Sequence, residues 1–108
     1  MSDIIVVVRN HQGISMSSVD GELIVVLLAS EGQVVAQQPI RMRVADAIFL
    51  NLPAGRYTVV TRHSSLDPTE ARQDVVLREN VMLGVKYFYE ENERRLLRIE
   101  LLERRLDV

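Results

Sequence analysis

Cysteine and tryptophan are absent from this chain of 108 residues, and lysine occurs once, as Lys86. Without cysteine the protein has no disulfide, no thiol nucleophile and no cysteine-ligated zinc site. The five glycines stand apart from one another, so the chain has no glycine-rich loop of the kind that cradles a phosphate. These absences exclude several classes of catalytic and cofactor site, and we expect the protein to use no cofactor.

The chain also lacks a large excess of charge of one sign, and it has no long apolar run. The 13 basic and 15 acidic residues are mixed along the chain, for a formal net charge of −2, so no field of one sign attracts nucleic acid. The first apolar run, 4–8, has no basic residue before it and is shorter than the core of a secretory signal. No run approaches the roughly 18 residues that span a bilayer. We therefore predict a cytoplasmic protein that binds neither nucleic acid nor membranes.

The composition is otherwise that of a folded domain. Hydrophobic residues make up 47% of the chain and charged residues 26%, the ordinary balance for a globular protein. A chain of this length buries roughly 60 to 70% of the surface that its unfolded state exposes, which is enough for an independent core. We predict a single domain over 1–108, with its core in 3–102 and a frayed tail over 103–108.

Strand signals recur at intervals of about 8 to 12 residues, separated by glycine, proline and other turn residues. Regular spacing of this kind is typical of a β-sandwich or barrel. We predict an all-β fold, an antiparallel β-sandwich of seven or eight strands. The strands are expected at 4–8, 22–28 and 33–37, from about 41, from about 47, and then at 57–60, 74–77 and 81–89.

The stretch 49–59 contains the clearest turn. Pro53 has its φ angle already set for the second position of a four-residue turn, and Gly55 at the fourth position tolerates a positive φ. We expect this turn to close a hairpin that places 49–50 against 57–60. Pro39 is expected at a break or a sheet edge, since proline lacks the N–H that a central strand needs.

The C-terminal segment fits two patterns. Leu97, Ile99 and Leu101 alternate as in a strand, whereas Leu97, Leu101 and Leu102 also fit a helical stripe. We predict a strand to about Leu102 that returns after a turn at 90–93, because the last strand of a sandwich needs a pairing partner. A helix from Glu93 onward is the alternative, since Glu, Arg and Leu are good helix formers.

A longer pattern surrounds the Pro53 turn: Phe49-x-x-Leu52-Pro53-x-Gly55-x-Tyr57-x-Val59, a loop, a Val75-x-Leu77 strand and a closing alternating strand. Over 40–90 it resembles the transthyretin-like β-sandwich domains, which include the carboxypeptidase regulatory-like and Cna-B-like modules. The resemblance implies a β-sandwich and little about function, because such modules serve as spacers, adhesion repeats, ligand binders and scaffolds. The chain lacks the Tyr-Arg-Gly-Ser end and paired histidines of the transthyretin-related hydrolases, so we predict that it is not an enzyme.

Residues with catalytic or metal-binding chemistry are few and scattered. The two histidines fall in separate predicted loops without a spacing that holds both on one ion. Ser64 and Ser65 follow His63, but no glycine elbow surrounds them. We therefore predict no catalytic site and no metal site among the candidates His11, Asp46, His63, Asp67 and Glu70.

The strongest functional signal is that the segments 4–8 and 23–28 are apolar on both strand faces. A strand with one solvated face alternates, so a cover is expected over the second face: another copy, a protein partner, or 96–106 if that segment is helical. The alternative is β-propensity expressed on a tolerant face. We predict that one sheet carries both segments and forms a contact surface of Ile5, Val7, Ile24, Val26, Leu28 and Phe88.

Phe88 belongs to this set because alternation places it opposite Tyr87 and Tyr89. The tyrosines, with Tyr57, share their faces with core aliphatic residues, so we expect them in the core and not on a sugar-binding platform. Phe88 is expected on an exposed surface.

Together these features favour a non-catalytic cytoplasmic interaction or scaffolding module. It is expected to self-associate or to dock a protein partner through an apolar sheet face. The alternative is a domain that binds a small ligand or carbohydrate with the loops 11–18 and 63–70.

Overall fold

The computed structural model describes residues 1–44 and 46–106, which form eight β-strands. They are β1 (Ser2–Asn10), β2 (Glu22–Ala29), β3 (Val34–Arg41), β4 (Asp46–Leu52), β5 (Gly55–Arg62), β6 (Glu70–Leu77), β7 (Val81–Glu90) and β8 (Arg95–Arg105). The predicted all-β class and the strand at the C-terminus are confirmed. Because β8 continues to Arg105, the prediction of a frayed tail from 103 is wrong for 103–105; 107–108 lie outside the described residues.

The strands form two four-stranded sheets, ordered β4-β1-β7-β8 and β3-β2-β5-β6, as in a β-sandwich. All neighbours are antiparallel except β1 and β7, which pair in parallel from Asp3 opposite Met82 to Asn10 opposite Tyr89. The prediction of a purely antiparallel sandwich is therefore wrong for the first sheet. Parallel neighbours need a long connection, and here the five intervening strands supply it.

The Pro53 turn joins the two sheets instead of closing a hairpin. It lies between β4, which pairs with β1, and β5, which pairs with β2 and β6. Gly55 has the expected positive φ, 155°, and the Tyr57 hydroxyl donates a hydrogen bond to the Pro53 carbonyl oxygen at 2.5 Å. The turn was placed correctly, but the hairpin prediction is wrong because turn residues specify a bend and not the strand's partner.

The predicted strand starting near residue 41 does not exist as a separate element. β3 instead runs through Pro39 to Arg41, and a turn follows it. This is tolerated because β3 is the edge strand of its sheet, where a missing N–H costs no ladder hydrogen bond.

The core fills the space between the sheets with alternate residues of their inner faces. In β1 these are Ile4, Val6 and Val8, each fully buried. The 11–21 connection adds Met16 and Val19, which are 0% and 1% exposed. This polar-looking segment is therefore packed into the sandwich by two apolar side chains.

The edge strands β3 and β4 belong to opposite sheets, and the Gln38 side chain forms hydrogen bonds between them. The Gln38 amide donates from Nε2 to the Ile48 carbonyl oxygen at 2.5 Å and accepts the Ile48 N–H at Oε1 at 3.1 Å. Both outward hydrogen-bonding groups of Ile48 are thus satisfied.

Candidate functional site

The predicted contact residues lie on opposite sides of the molecule. β1 belongs to the first sheet and β2 to the second, so the prediction that one sheet carries both segments is wrong. We call the outer surface of β4-β1-β7-β8 the β1 face and that of β3-β2-β5-β6 the β2 face. The β1 face carries Ile5, Val7 and Phe88, and the β2 face carries Ile24, Val26 and Leu28.

The apolar residues at the centre of the β2 face are covered by the chain itself. Val26 and Val60 are 1% and 0% exposed and form a small cluster with Leu28. The strand register places Gln37 opposite Val26 and Arg72 opposite Val60. Long polar side chains lay their stems over apolar neighbours, so the centre of this face is closed without a partner. Its edge strands keep two valines, Val34 and Val76, 63% and 62% exposed.

The β1 face keeps an open apolar row across all four strands. Ile5 is paired with Ile48 on β4 and with Gly84 on β7, and Gly84 is paired with Leu102 on β8. We call these four residues the aliphatic row. Ile48 and Leu102 are 48% and 49% exposed. Among the residues that the structure describes, none closes this row as the centre of the β2 face is closed.

Gly84 opens a groove in the middle of the row. The groove has a volume of about 150 Å3 and is lined by Ile5, Val7, Met82, Gly84, Lys86, Leu102 and Arg104. A Cβ atom at Gly84 would lie 3.5 Å from the Leu102 carbonyl oxygen, an ordinary contact, and Gly84 is not among the glycines with positive φ. Neither backbone conformation nor crowding therefore requires glycine here.

Sequence reasoning missed this groove. It treated Gly84 only as one more isolated glycine, although a glycine inside an apolar strand often marks a place where a ligand or another backbone approaches closely. Ile48 and Leu102 were missed as well, because their alignment with Ile5 depends on the pairing of four strands.

Two cations stand beside the groove. Lys86 follows Gly84 by two residues on the same strand, and Arg104 is paired with Met82, two residues before Gly84. They therefore lie on the two sides of the aliphatic row. Within 1–44 and 46–106, neither has a carboxylate at ion-pair distance.

The carboxylates of the β1 face already have donors from this chain. The strand register places Asp46 and Glu100 in the cross-strand row on one side of the aliphatic row, and Asp3 in the row on its other side. Asp46 accepts from Arg9 at 2.7 Å, Glu100 from Arg98 at 2.5 Å, and Asp3 from the Asn51 backbone N–H at 3.0 Å.

Phe88 lies on the β1 face, as alternation predicts, but it is only 9% exposed. The Arg98 guanidinium carbon lies 4.2 Å from the ring centroid, in a cation–π contact. Arg98 therefore covers the ring, and the expectation of an exposed Phe88 is wrong. A strand pattern does not predict which cross-strand neighbour lies over a side chain.

The loops 11–18 and 63–70 lie at one end of the sandwich, where two hydrogen bonds hold the His63 ring in place. Its Nδ1 accepts the Ser65 N–H at 3.0 Å, so Nε2 carries the proton and donates to the Asp20 carbonyl oxygen at 2.8 Å. Both ring nitrogens are used in holding the backbone. In the described part of the chain, no three His, Asp or Glu side chains are placed to hold a metal ion.

The tyrosines are core residues, as predicted. Tyr57, Tyr87 and Tyr89 are 7%, 0% and 0% exposed. Burial raises the pKa of Tyr87 and of Tyr89 above 10.0, and the neighbouring Tyr89 adds to the effect on Tyr87. Both phenols therefore stay protonated at neutral pH, and the Tyr87 hydroxyl donates to the Val59 carbonyl oxygen at 3.2 Å.

Comparison with protein-family models, curated proteins and solved structures finds no match to this chain. The transthyretin-like resemblance thus stays a prediction based on sequence pattern. In the described residues no helix is long and apolar enough to cross a membrane. The functional argument rests on the geometry of the chain itself.

Proposed function

We propose that this protein is a non-catalytic interaction module of the cytoplasm that docks a protein through its β1 face. One observation carries the proposal: the aliphatic row is half exposed at Ile48 and Leu102 and opens into a groove at Gly84, whereas the central apolar cluster of the β2 face is closed. Covering the row is favourable, at about 25 cal/mol for each Å2 of apolar surface removed from water. An exposed patch with polar residues at its border is typical of a protein contact.

We also propose that the sandwich is of the transthyretin-like type. Support comes from the eight strands in two sheets and from the Leu52-Pro53-x-Gly55-x-Tyr57 pattern, which forms the crossing between them. The hydrogen bond from the Tyr57 hydroxyl to the Pro53 carbonyl oxygen explains why a tyrosine four residues after the proline suits the connection between the two sheets.

The ligand-binding alternative has less support. His63 ties the 63–70 loop to Asp20, just beyond the 11–18 loop, and both of its ring nitrogens are engaged. Met16 anchors one of these loops in the core. These side chains therefore serve the fold, and the geometry favours the β1 face.

The proposal is tested by placing a charge on the aliphatic row. Leu102→Glu is the test variant, and Val34→Glu is the matched control, because Val34 is 63% exposed on the edge strand of the other sheet. Wild type and both variants are compared by sedimentation velocity over a concentration series and by quantitative affinity capture. We expect an association, with copies or with another protein, that Val34→Glu keeps and Leu102→Glu weakens at least tenfold. An association that survives Leu102→Glu in a folded protein would count against the β1 face.

A further inference from the structure

The chemistry of the groove points to its occupant, an inference that rests on the proposed function. We propose that the β1 face binds an extended segment of a partner protein in which an aliphatic side chain is flanked by carboxylates. The three features that carry the proposal are the groove at Gly84, the cations on its two sides, and the carboxylates that already have donors.

The groove selects an aliphatic side chain. Its floor and walls are mainly Ile5, Val7, Met82 and Leu102. Its volume is about 150 Å3, and an apolar cavity of about that size holds a molecule as large as benzene. One branched aliphatic side chain of a partner therefore fits over Gly84.

The cations select the residues on either side of it. A segment that fills the groove removes water from Lys86 and Arg104, and a charge that loses water without gaining a partner is costly. Four residues of strand separate the two cation positions, or about 13 Å at roughly 3.3 Å per residue. Alternate residues of an extended segment point the same way, so the spacing matches acidic-x-aliphatic-x-acidic.

A second copy of this chain fits less well. Its β1 face would bring Lys86 and Arg104 themselves, and two of its carboxylates, Asp46 and Glu100, already share their charge with arginines of their own chain. Lys86 and Arg104 would then meet like charges, and would have to share acceptors with donors already in place. A partner protein that brings its own carboxylates avoids this cost.

The probe for this proposal is a displayed library of random 12-residue peptides, selected on the wild-type protein. Bound peptides are then tested on Gly84→Val, which fills the groove, and on Lys86→Glu/Arg104→Glu, which reverses both charges. Gly84→Ala is the graded variant, since its Cβ meets only ordinary contacts. Circular dichroism and thermal unfolding verify that every variant is folded.

We expect peptides with an aliphatic residue between acidic ones at a spacing of two. Their affinity should fall at least tenfold with Gly84→Val and at least tenfold with the double charge reversal, and it should weaken as salt is raised. Peptides that need Gly84 but show no acidic preference would overturn the partner chemistry and leave the docking face intact. No peptide that depends on Gly84 would overturn the acidic segment, and if Leu102→Glu also left every association of the protein unchanged, docking through the β1 face would be overturned too.

Sedimentation velocity tests the remaining possible occupant of the groove, a second copy of this chain. A dimer that forms in wild type and is lost in Gly84→Val would mean that a second copy occupies the groove. That result would refute the acidic segment while supporting docking through the β1 face.

Discussion

The two outer faces of the sandwich begin from the same sequence signal and reach opposite outcomes. Both β1 and β2 are apolar on alternate outward positions, yet Val26 is 1% exposed, whereas Ile5 is half-buried and lines an open groove. The difference lies in the neighbours: Gln37 and Arg72 flank the apolar residues of the β2 face, whereas Gly84 has no side chain to offer. A strand that is apolar on both faces can therefore be closed or open on its outer side, and its cross-strand neighbours decide which.

The comparison is tested most strongly by putting the same charge on each face. Val26→Asp places a carboxylate in a closed apolar cluster, and we expect a loss of about 3 kcal/mol or more in the free energy of unfolding, or no folding. Leu102→Asp should change it by no more than about 1 kcal/mol. Urea unfolding measures both. A mild effect of Val26→Asp would show that the β2 face is open after all.

Gly55 and Gly84 offer a second test, because only Gly55 of this pair has a backbone conformation that favours glycine. Gly55→Val should lower the free energy of unfolding by about 1 to 3 kcal/mol, since Gly55 has φ at 155°. Gly84→Val should be neutral or stabilising, because a β-branched residue suits a strand. Thermal and urea unfolding measure the pair. Equal losses at both positions would mean that Gly84 serves the fold and not the groove.

Alkaline pH tests whether the two faces unfold together. The pKa of Tyr87 and of Tyr89 is raised in the folded state, so their contribution is complete below about pH 10 and is lost as the pH rises through the folded values. We expect the free energy of unfolding to fall above about pH 10, and to fall less steeply in Tyr87→Phe. Hydrogen exchange of β1 and β2 should respond at the same pH. Loss of protection in β1 alone would show that the faces are not coupled.

The smallest expected effect concerns the cover over Phe88. Arg98→Ala should uncover the ring and extend the open part of the β1 face, with a loss of about 0.5 to 1 kcal/mol in stability. Arg95→Ala is the control, because Arg95 pairs with exposed Glu93 on the surface. Binding of an apolar fluorescent dye should rise in Arg98→Ala only. An unchanged signal would mean that another group covers Phe88.

Local patterns in the sequence predicted which side chains enter the core. Alternation separated Tyr87 and Tyr89 from Phe88, and turn chemistry located the bend at Pro53 and Gly55. These features depend on residues close in sequence, so a period of two and a tight turn are enough to find them.

Strand pairing was out of reach because it joins distant parts of the chain. The parallel pairing of β1 with β7 links Ile5 to Gly84, and the crossing at Pro53 separates strands that a hairpin would have paired. The groove shares this dependence: Ile48, Ile5, Gly84 and Leu102 align only once four strands are in register. A fold can thus be recognised from local periodicity while its contact surface is not.

The Gln38 amide affects whether copies of this protein can add to one another at the β4 edge. An apolar face beside a free strand edge is where chains can add to one another and grow into fibrils. Because Gln38 occupies both outward backbone groups of Ile48, a strand from another molecule must first displace that amide to continue the ladder. The molecule can therefore present apolar side chains to a partner at the β4 border without offering the adjoining backbone as a template for polymerisation.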